Sequence, residues 1–115
     1  MNKFGIYIHI PFCKNICSYC DFCKFYYYKK WVFEYLNVLD SEVEKYYQGD
    51  SIYTIYIGGG TPSALDIEEL ERLFSIINKF DLSKCVEFTF ECNIENITLE
   101  KMKFLKEHGV SRLSV

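Results

Sequence analysis

The spacing of hydrophobic residues along the chain alternates between two periods. Ile6, Ile8 and Ile10 occupy every second position, which predicts a short strand that stops at Pro11. From about residue 29 to residue 47 the apolar side chains recur every three or four positions, which predicts an amphipathic helix. The apolar positions of this helix are Val32, Tyr35 or Leu36, Leu39, Val43 and Tyr46.

The middle of the chain predicts two more strands with a helix between them. Residues 51–57 (SIYTIYI) are almost all β-branched or aromatic, which is typical of a strand covered on both faces in a parallel sheet. Asp66, followed three residues later by Glu69, resembles a capping box that starts a second helix. Residues 86–90 predict a third strand. The buried positions predicted for the second helix are Ile67, Leu70, Phe74, Ile77 and Phe80.

The last part of the chain repeats this order. Thr98 can cap a third helix that carries Met102 and Leu105 and stops at Gly109, and residues 110–115 begin a fourth strand. Alternating strands and helices predict an α/β fold in which a parallel sheet is covered by helices. With 115 residues, half of them hydrophobic, we expect one domain with one small core.

Charge and hydropathy argue against a nucleic-acid-binding, membrane-anchored or secreted protein. The net charge is −3, and both signs are mixed along the helical stretches, so the sequence does not favour binding to nucleic acid or a polybasic membrane anchor. No apolar run approaches the roughly 20 residues of a membrane span, and the first residues do not resemble a secretory signal. We therefore expect a cytoplasmic protein without a membrane span.

Four of the six cysteines lie at positions 13, 17, 20 and 23. In a reducing compartment, such crowding indicates metal ligands or reactive thiols rather than disulfides. Thiolates at these spacings suit an iron–sulfur cluster or zinc, and a structural zinc site would use all four. Cys85 and Cys92 are predicted to be small, buried apolar residues.

Three unusual features follow three predicted strands. The cysteines follow the first strand, Gly58 to Gly60 the second, and Glu91 with Asn93 the third. Ligands of parallel α/β folds lie at the carboxyl ends of the strands, so these features predict one shared site. Two of these features also have a structural alternative: the glycines could form a tight turn, and Glu91 could be a solvated carboxylate. His9, on the strand before the cysteines, could be either a site residue or a packed histidine.

Several segments together resemble the radical S-adenosylmethionine superfamily. The segments are YIHIPFC (7–13), Cys17 with Tyr19, Cys20, Asp21 and Phe22, GGGTP (58–62), FECN (90–93) and GVSRLSV (109–115). Within that superfamily they are most similar to the oxygen-independent coproporphyrinogen III oxidases and their haem-chaperone relatives. The likeness covers essentially the whole chain.

This resemblance implies a cofactor and its ligands. Cys13, Cys17 and Cys20 would bind a [4Fe-4S] cluster, and its fourth iron would bind S-adenosylmethionine, which is cleaved to a 5'-deoxyadenosyl radical. Four further sets of contacts are implied. The backbone of Gly58, Gly59, Gly60 and Thr61 would meet the methionine moiety, Tyr19 would lie near the adenine, Glu91 would bind polar groups of the cofactor, and Tyr7 would face cofactor or substrate.

The same resemblance separates two branches. The decarboxylating oxidases usually carry an extra cysteine at the position of Phe22 and an extension before the first strand, so the chain is more similar to the haem chaperones. The implied role is binding and delivery of haem by the full-length protein, with porphyrinogen oxidation as the competing role and flavodoxin or ferredoxin as reductant. Cys23 departs from both patterns, and we expect the cluster not to need it.

The resemblance also predicts how the chain relates to a complete domain. The family's core is a partial (β/α) barrel of about six strands, so residues 1–115 would be its N-terminal part, truncated after the fourth strand. We expect such a fragment alone to be marginally stable and inactive, and the full-length protein to be an enzyme. The alternative from another class is a noncatalytic zinc-binding or iron–sulfur electron-transfer module that uses the four clustered cysteines.

Overall fold

A four-stranded parallel sheet forms the framework of the protein. The computed structural model describes residues 3–13, 25–26 and 29–115. The large sheet has the strand order β1-β4-β5-β6, while β2 and β3 form a separate parallel pair. In chain order the elements are β1 (Phe4–Ile10), β2 (Phe12–Cys13), β3 (Phe25–Tyr26), α1 (Lys29–Tyr46), β4 (Ile52–Gly59), α2 (Ile67–Ile77), β5 (Glu87–Glu91), α3 (Leu99–Glu107) and β6 (Arg112–Ser114).

One face of the sheet packs against the helices and forms the core. Phe74 of α2 stacks on Phe88 with ring centroids 5.7 Å apart, and Phe104 of α3 meets Phe74 edge-on at 5.4 Å. Ile55 and Ile57 of β4 are buried in the same cluster. Aromatic rings thus bring large apolar areas into a core that is otherwise built mainly from isoleucine and leucine.

The opposite face of the sheet is more open. Thr54 is exposed, and Tyr7 is 57% exposed. The prediction that β4 is covered on both faces is therefore wrong for the described part of the chain. Successive side chains of a strand point to opposite faces, so Ile55 and Ile57 enter the core while Thr54 and Tyr56 lie on the other side.

The predicted helix starts are confirmed. Asp66 Oδ1 accepts a hydrogen bond from the Glu69 N–H at 2.8 Å, and Glu69 Oε1 accepts from the Asp66 N–H at 2.9 Å, which completes the capping box. Thr98 Oγ1 accepts from the Lys101 N–H at 3.2 Å and caps α3. No helix in the described ranges is long and apolar enough to cross a membrane.

Some predictions near element ends differ from the structure. Helix α2 ends at Ile77, so Phe80 lies beyond the helix, but it packs against the core as predicted and its ring meets Tyr47 edge-on at 4.9 Å. Tyr46 is 68% exposed because Tyr47, one residue later, faces the core instead. Met102 of α3 is 45% exposed. The third strand was predicted over residues 86–90, whereas β5 begins at Glu87 and Val86 lies before it, 77% exposed.

Candidate functional site

The glycine turn, residues 58–61 at the end of β4, is hydrogen-bonded to the backbone that leads into the cysteine segment. The Gly60 N–H donates to the Ile10 carbonyl at 2.7 Å, and the Thr61 N–H donates to the Phe12 carbonyl at 2.9 Å. These two bonds hold the chain on both sides of Pro11, immediately before Cys13. The end of β4 thereby fixes the backbone immediately before Cys13, the first predicted cluster ligand.

Glycine is required here because the two segments approach closely. Gly59 has φ +116°, and a Cβ added to it would lie 2.7 Å from His9 Nδ1 and 2.8 Å from the Ile10 carbonyl oxygen. A Cβ on Gly60 would lie 2.8 Å from the Phe12 carbonyl oxygen. Residues 59 and 60 are therefore glycine because they pack closely against residues 9–12 of the protein. This supports the alternative that the glycines form a tight turn.

Glu91 at the end of β5 is held by two donors. Its Oε1 accepts from the Gly59 N–H at 3.1 Å, and its Oε2 accepts from the Tyr56 hydroxyl at 2.5 Å. The side chain is half-buried, so it is not the freely solvated carboxylate of the structural alternative. A carboxylate oxygen can accept two hydrogen bonds, which leaves capacity for an ammonium or hydroxyl group of a ligand.

Gly58 also approaches this carboxylate. A Cβ on Gly58 would lie 3.1 Å from Glu91 Oε1 and 2.8 Å from Tyr56 Cε1. The turn therefore meets β1 through Gly59 and Gly60, and meets β5 through Gly58 and the Gly59 N–H. A larger residue at position 58 would have to displace the side chains of Tyr56 and Glu91.

Two tyrosines extend the site along the open face. The rings of Tyr7 and Tyr56 stack with centroids 5.8 Å apart, and the Tyr7 hydroxyl lies 3.1 Å from His9 Nδ1. Burial and the charge of Glu91 raise the pKa of Tyr7, while the hydrogen bond to Glu91 and burial raise the pKa of Tyr56. Both phenols therefore stay protonated at neutral pH and can donate hydrogen bonds.

His9 lies between the open face and the glycine turn. Its ring is close to the Gly59 position, and its Nε2 is buried without a hydrogen-bond partner among the described residues. The Tyr35 hydroxyl of α1 donates to the His9 carbonyl, and the Tyr35 ring meets Phe12 edge-on at 5.7 Å. Helix α1 thus anchors the end of β1 beside the first cysteine.

A second link joins the end of β5 to the glycine turn. Ser63, buried in the short 3-10 helix Pro62–Ala64, accepts a hydrogen bond from the Asn93 N–H through Oγ at 2.8 Å. The Lys101 ammonium donates to the Ser63 carbonyl at 2.8 Å. The three strand ends that the sequence assigned to one rim are therefore joined by direct hydrogen bonds.

The remaining predicted site residues lie partly outside the described ranges. Cys13 ends β2, whereas Cys17, Tyr19 and Cys20 lie outside the described residues, as does Cys23. Within residues 3–13, 25–26 and 29–115, no three His, Cys, Asp or Glu side chains are grouped so that they could hold a metal ion. The two other cysteines, Cys85 and Cys92, are half-buried, and burial raises the pKa of the Cys92 thiol.

Comparison with known families identifies the superfamily of the chain. A family model described as the Radical SAM superfamily matches residues 7–115, which include the cysteines, the glycine turn and Glu91. The chain belongs to this superfamily. Membership confirms the family that the sequence motifs indicated.

Relatives within the radical SAM superfamily indicate the branch. The chain is 48% identical to "Heme chaperone HemW" of Bacillus subtilis (strain 168), over 94% of this chain and 30% of that protein. It is 41% identical to "Heme chaperone HemW" of Lactococcus lactis subsp. lactis (strain IL1403), over 95% of this chain and 29% of that protein. The chain thus spans about 30% of the length of these relatives.

A solved structure shows the same fold. It is described as "Coproporphyrinogen III oxidase (HemN) from Escherichia coli is a Radical SAM enzyme", with a TM-score of 0.85 and 26% identity over 96% of this chain and 27% of that chain. The predicted α/β fold of the radical SAM type is therefore confirmed. The likeness to the haem-chaperone and coproporphyrinogen-oxidase branch is confirmed as well.

Proposed function

We propose that this chain binds a [4Fe-4S] cluster through Cys13, Cys17 and Cys20 and binds S-adenosylmethionine at the adjoining rim. The observation that carries the proposal is the pair of hydrogen bonds from Gly60 and Thr61 to the backbone around Pro11. They join the segment that enters the cysteine motif to the glycine turn, and Glu91 accepts from the same turn. A cluster held by the cysteines would therefore lie beside the turn and the carboxylate.

The residues at the rim suit the cofactor. The N–H groups of Gly59, Gly60 and Thr61 donate within the protein, so the backbone of Gly58, Gly59, Gly60 and Thr61 would bind the methionine moiety through carbonyl oxygens. Glu91 has acceptor capacity for an ammonium or hydroxyl group. Tyr7, on the open face, would meet cofactor or substrate, and Tyr19 would meet the adenine. When bound, the cluster and S-adenosylmethionine supply one-electron radical chemistry, and the protein positions them.

We further propose that the full-length protein acts in haem metabolism as a cytoplasmic haem chaperone. Two relatives carry that name, and Phe22 stands where the decarboxylating oxidases usually have an extra cysteine. Haem or porphyrinogen and a reductant such as flavodoxin or ferredoxin would be its partners. Haem binding without porphyrinogen decarboxylation by the full-length protein would support the chaperone role, and decarboxylation would assign the oxidase role instead.

Metal content tests the proposed cluster. The full-length protein is reconstituted anaerobically with iron and sulfide, and iron and zinc are counted per chain. We expect about four irons and a broad brown absorption, both lost when Cys13, Cys17 or Cys20 is replaced by Ala. One tightly held zinc in a colourless protein would contradict the proposal and favour the four-cysteine zinc module.

Two cysteine controls sharpen this test. Cys85→Ala removes a thiol that lies just before β5, distant in sequence from the motif, and should leave the iron content unchanged. Cys23→Ala should also leave it unchanged, because three ligands suffice for the proposed cluster. A sharp fall in iron content for Cys23→Ala would show that the fourth cysteine is a ligand.

A further inference from the structure

Tyr56 is a residue of the open face to which the sequence assigned no role. It lies on β4 opposite Thr89 of β5, and Glu91 follows Thr89 by two positions on the same face. The Tyr56 hydroxyl donates to Glu91 Oε2 at 2.5 Å, across 35 residues of sequence. The tyrosine therefore reaches along the sheet to the carboxylate at the rim.

The contact fixes the orientation of the carboxylate. Glu91 Oε1 accepts from the Gly59 N–H and Oε2 accepts from Tyr56, so each oxygen is held by a different element. Hydrogen bonds to an ionised acceptor are short and roughly twice as strong as neutral ones. Without Tyr56, the side chain would keep one bond and could rotate about it.

We propose that Tyr56 is a positioning residue that holds Glu91 in the orientation in which it accepts a polar hydrogen of bound S-adenosylmethionine. This inference rests on the proposed function, which places the cofactor at Glu91. The free lone pairs of a fixed carboxylate point in defined directions, so a ligand donor meets an acceptor that is already oriented. Less conformational freedom is then lost when the ligand binds.

Tyr56→Phe isolates the hydroxyl from the ring. Phenylalanine keeps the aromatic ring that stacks on Tyr7, so the open face retains its packing. Tyr46→Phe is the matched control, because it removes the hydroxyl of a tyrosine that is 68% exposed at the end of α1. Each variant loses one phenolic hydroxyl, but only Tyr56→Phe loses the hydroxyl that donates to Glu91.

The test measures S-adenosylmethionine binding to the full-length, cluster-loaded protein by calorimetry. We expect Tyr56→Phe to raise the Kd about tenfold with unchanged iron content, as removal of a charge-assisted hydrogen bond predicts. Tyr46→Phe should bind like the wild type. A Kd for Tyr56→Phe within twofold of the wild type would overturn the proposal, as would a parallel loss of iron, which would indicate a purely structural role.

A double variant tests whether Tyr56 acts through Glu91, and binding by the wild type separates this proposal from the proposed function. If Tyr56 acts through Glu91, Tyr56→Phe should add little to the effect of Glu91→Gln, and fully additive effects would contradict that route. A wild-type protein that carries the cluster but binds no S-adenosylmethionine would overturn the proposed function itself, and this inference with it. Wild-type binding with an unaffected Tyr56→Phe variant would overturn this inference alone.

Discussion

The two faces of the sheet differ in what their side chains do. On the face toward the helices, Ile55, Ile57, Phe88 and Phe90 are at most 3% exposed and contribute apolar packing. On the opposite face, the Tyr56 hydroxyl hydrogen-bonds to the Glu91 carboxylate and the Tyr7 hydroxyl to the His9 imidazole. Along these strands, residues that pack in the core therefore alternate with residues that face the candidate site.

This difference has a consequence for substitutions. A change on the helix-covered face removes buried apolar contacts and should lower the free energy of unfolding without a specific effect on the cofactor. A change on the open face or in the glycine turn should alter cluster or cofactor binding more than stability. Variants on adjacent elements can test whether the two effects separate in this way.

The largest stability effect is expected at Phe74. Phe74→Ala would remove a ring that packs against Phe88, Phe90 and Phe104, and should lower the free energy of unfolding by about 3–5 kcal/mol. The urea midpoint of the full-length protein measures this effect. Glu71→Ala, an exposed position on the same helix, is the control and should change little. Equal midpoints for the two variants would contradict the assigned core.

The glycine turn should show a moderate loss of stability together with a loss of iron. Gly59→Ala combines a positive φ with contacts of 2.7 and 2.8 Å, so we expect about 1–3 kcal/mol of strain and a displaced cysteine segment. Iron content after reconstitution should fall by at least half. Gly49→Ala is the matched control, because Gly49 has φ +88° but a Cβ there meets nothing within 4 Å. Similar iron content in both variants would show that the turn does not position the cysteines.

A smaller effect is expected in the helix layer at Asp66. Asp66→Ala removes the α2 cap and the Lys29 ion pair, and should cost about 1 kcal/mol of stability, read from the urea midpoint, with normal cofactor binding. The exposed neighbour Glu68→Ala is the control. Weakened cofactor binding by Asp66→Ala would contradict the separation of the two faces.

The same cap predicts a pH dependence. Burial opposes ionisation of Asp66, but the hydrogen bonds from Lys29 and the Glu69 backbone outweigh it, so the folded pKa lies below the ordinary 3.8. Its contribution to stability is therefore present above about pH 3.8 and is lost as the pH falls through the lowered folded pKa. The wild type should lose this increment on acidification, whereas Asp66→Ala should not.

Local sequence signals predicted most of the fold. The capping residues Asp66 and Thr98 act through atoms only three positions away, so the sequence displays both partners of each cap. The end of α2 was less predictable, because Phe80 is apolar and continues the helical spacing although the helix has stopped.

The candidate site depended on contacts that local patterns do not display. Glu91 and the glycines were predicted from their positions after strands, but the Tyr56 partner of Glu91 is 35 residues away and reads as an ordinary strand residue. Ser63 and Tyr35 were missed for the same reason: their hydrogen bonds to Asn93 and His9 span 30 and 26 residues. Register across the sheet creates the Tyr56–Glu91 pair, whereas the other two pairs join the 3-10 helix and α1 to strand ends.

The central claim is that the open face and its rim bind S-adenosylmethionine beside a cluster. The most direct measurement is the electron paramagnetic resonance spectrum of the reduced cluster in the full-length protein, with and without S-adenosylmethionine. We predict that the cofactor changes the cluster signal, because in the proposed site it would bind the iron that Cys13, Cys17 and Cys20 would leave open. A fully iron-loaded protein whose spectrum does not change at saturating S-adenosylmethionine would contradict the claim.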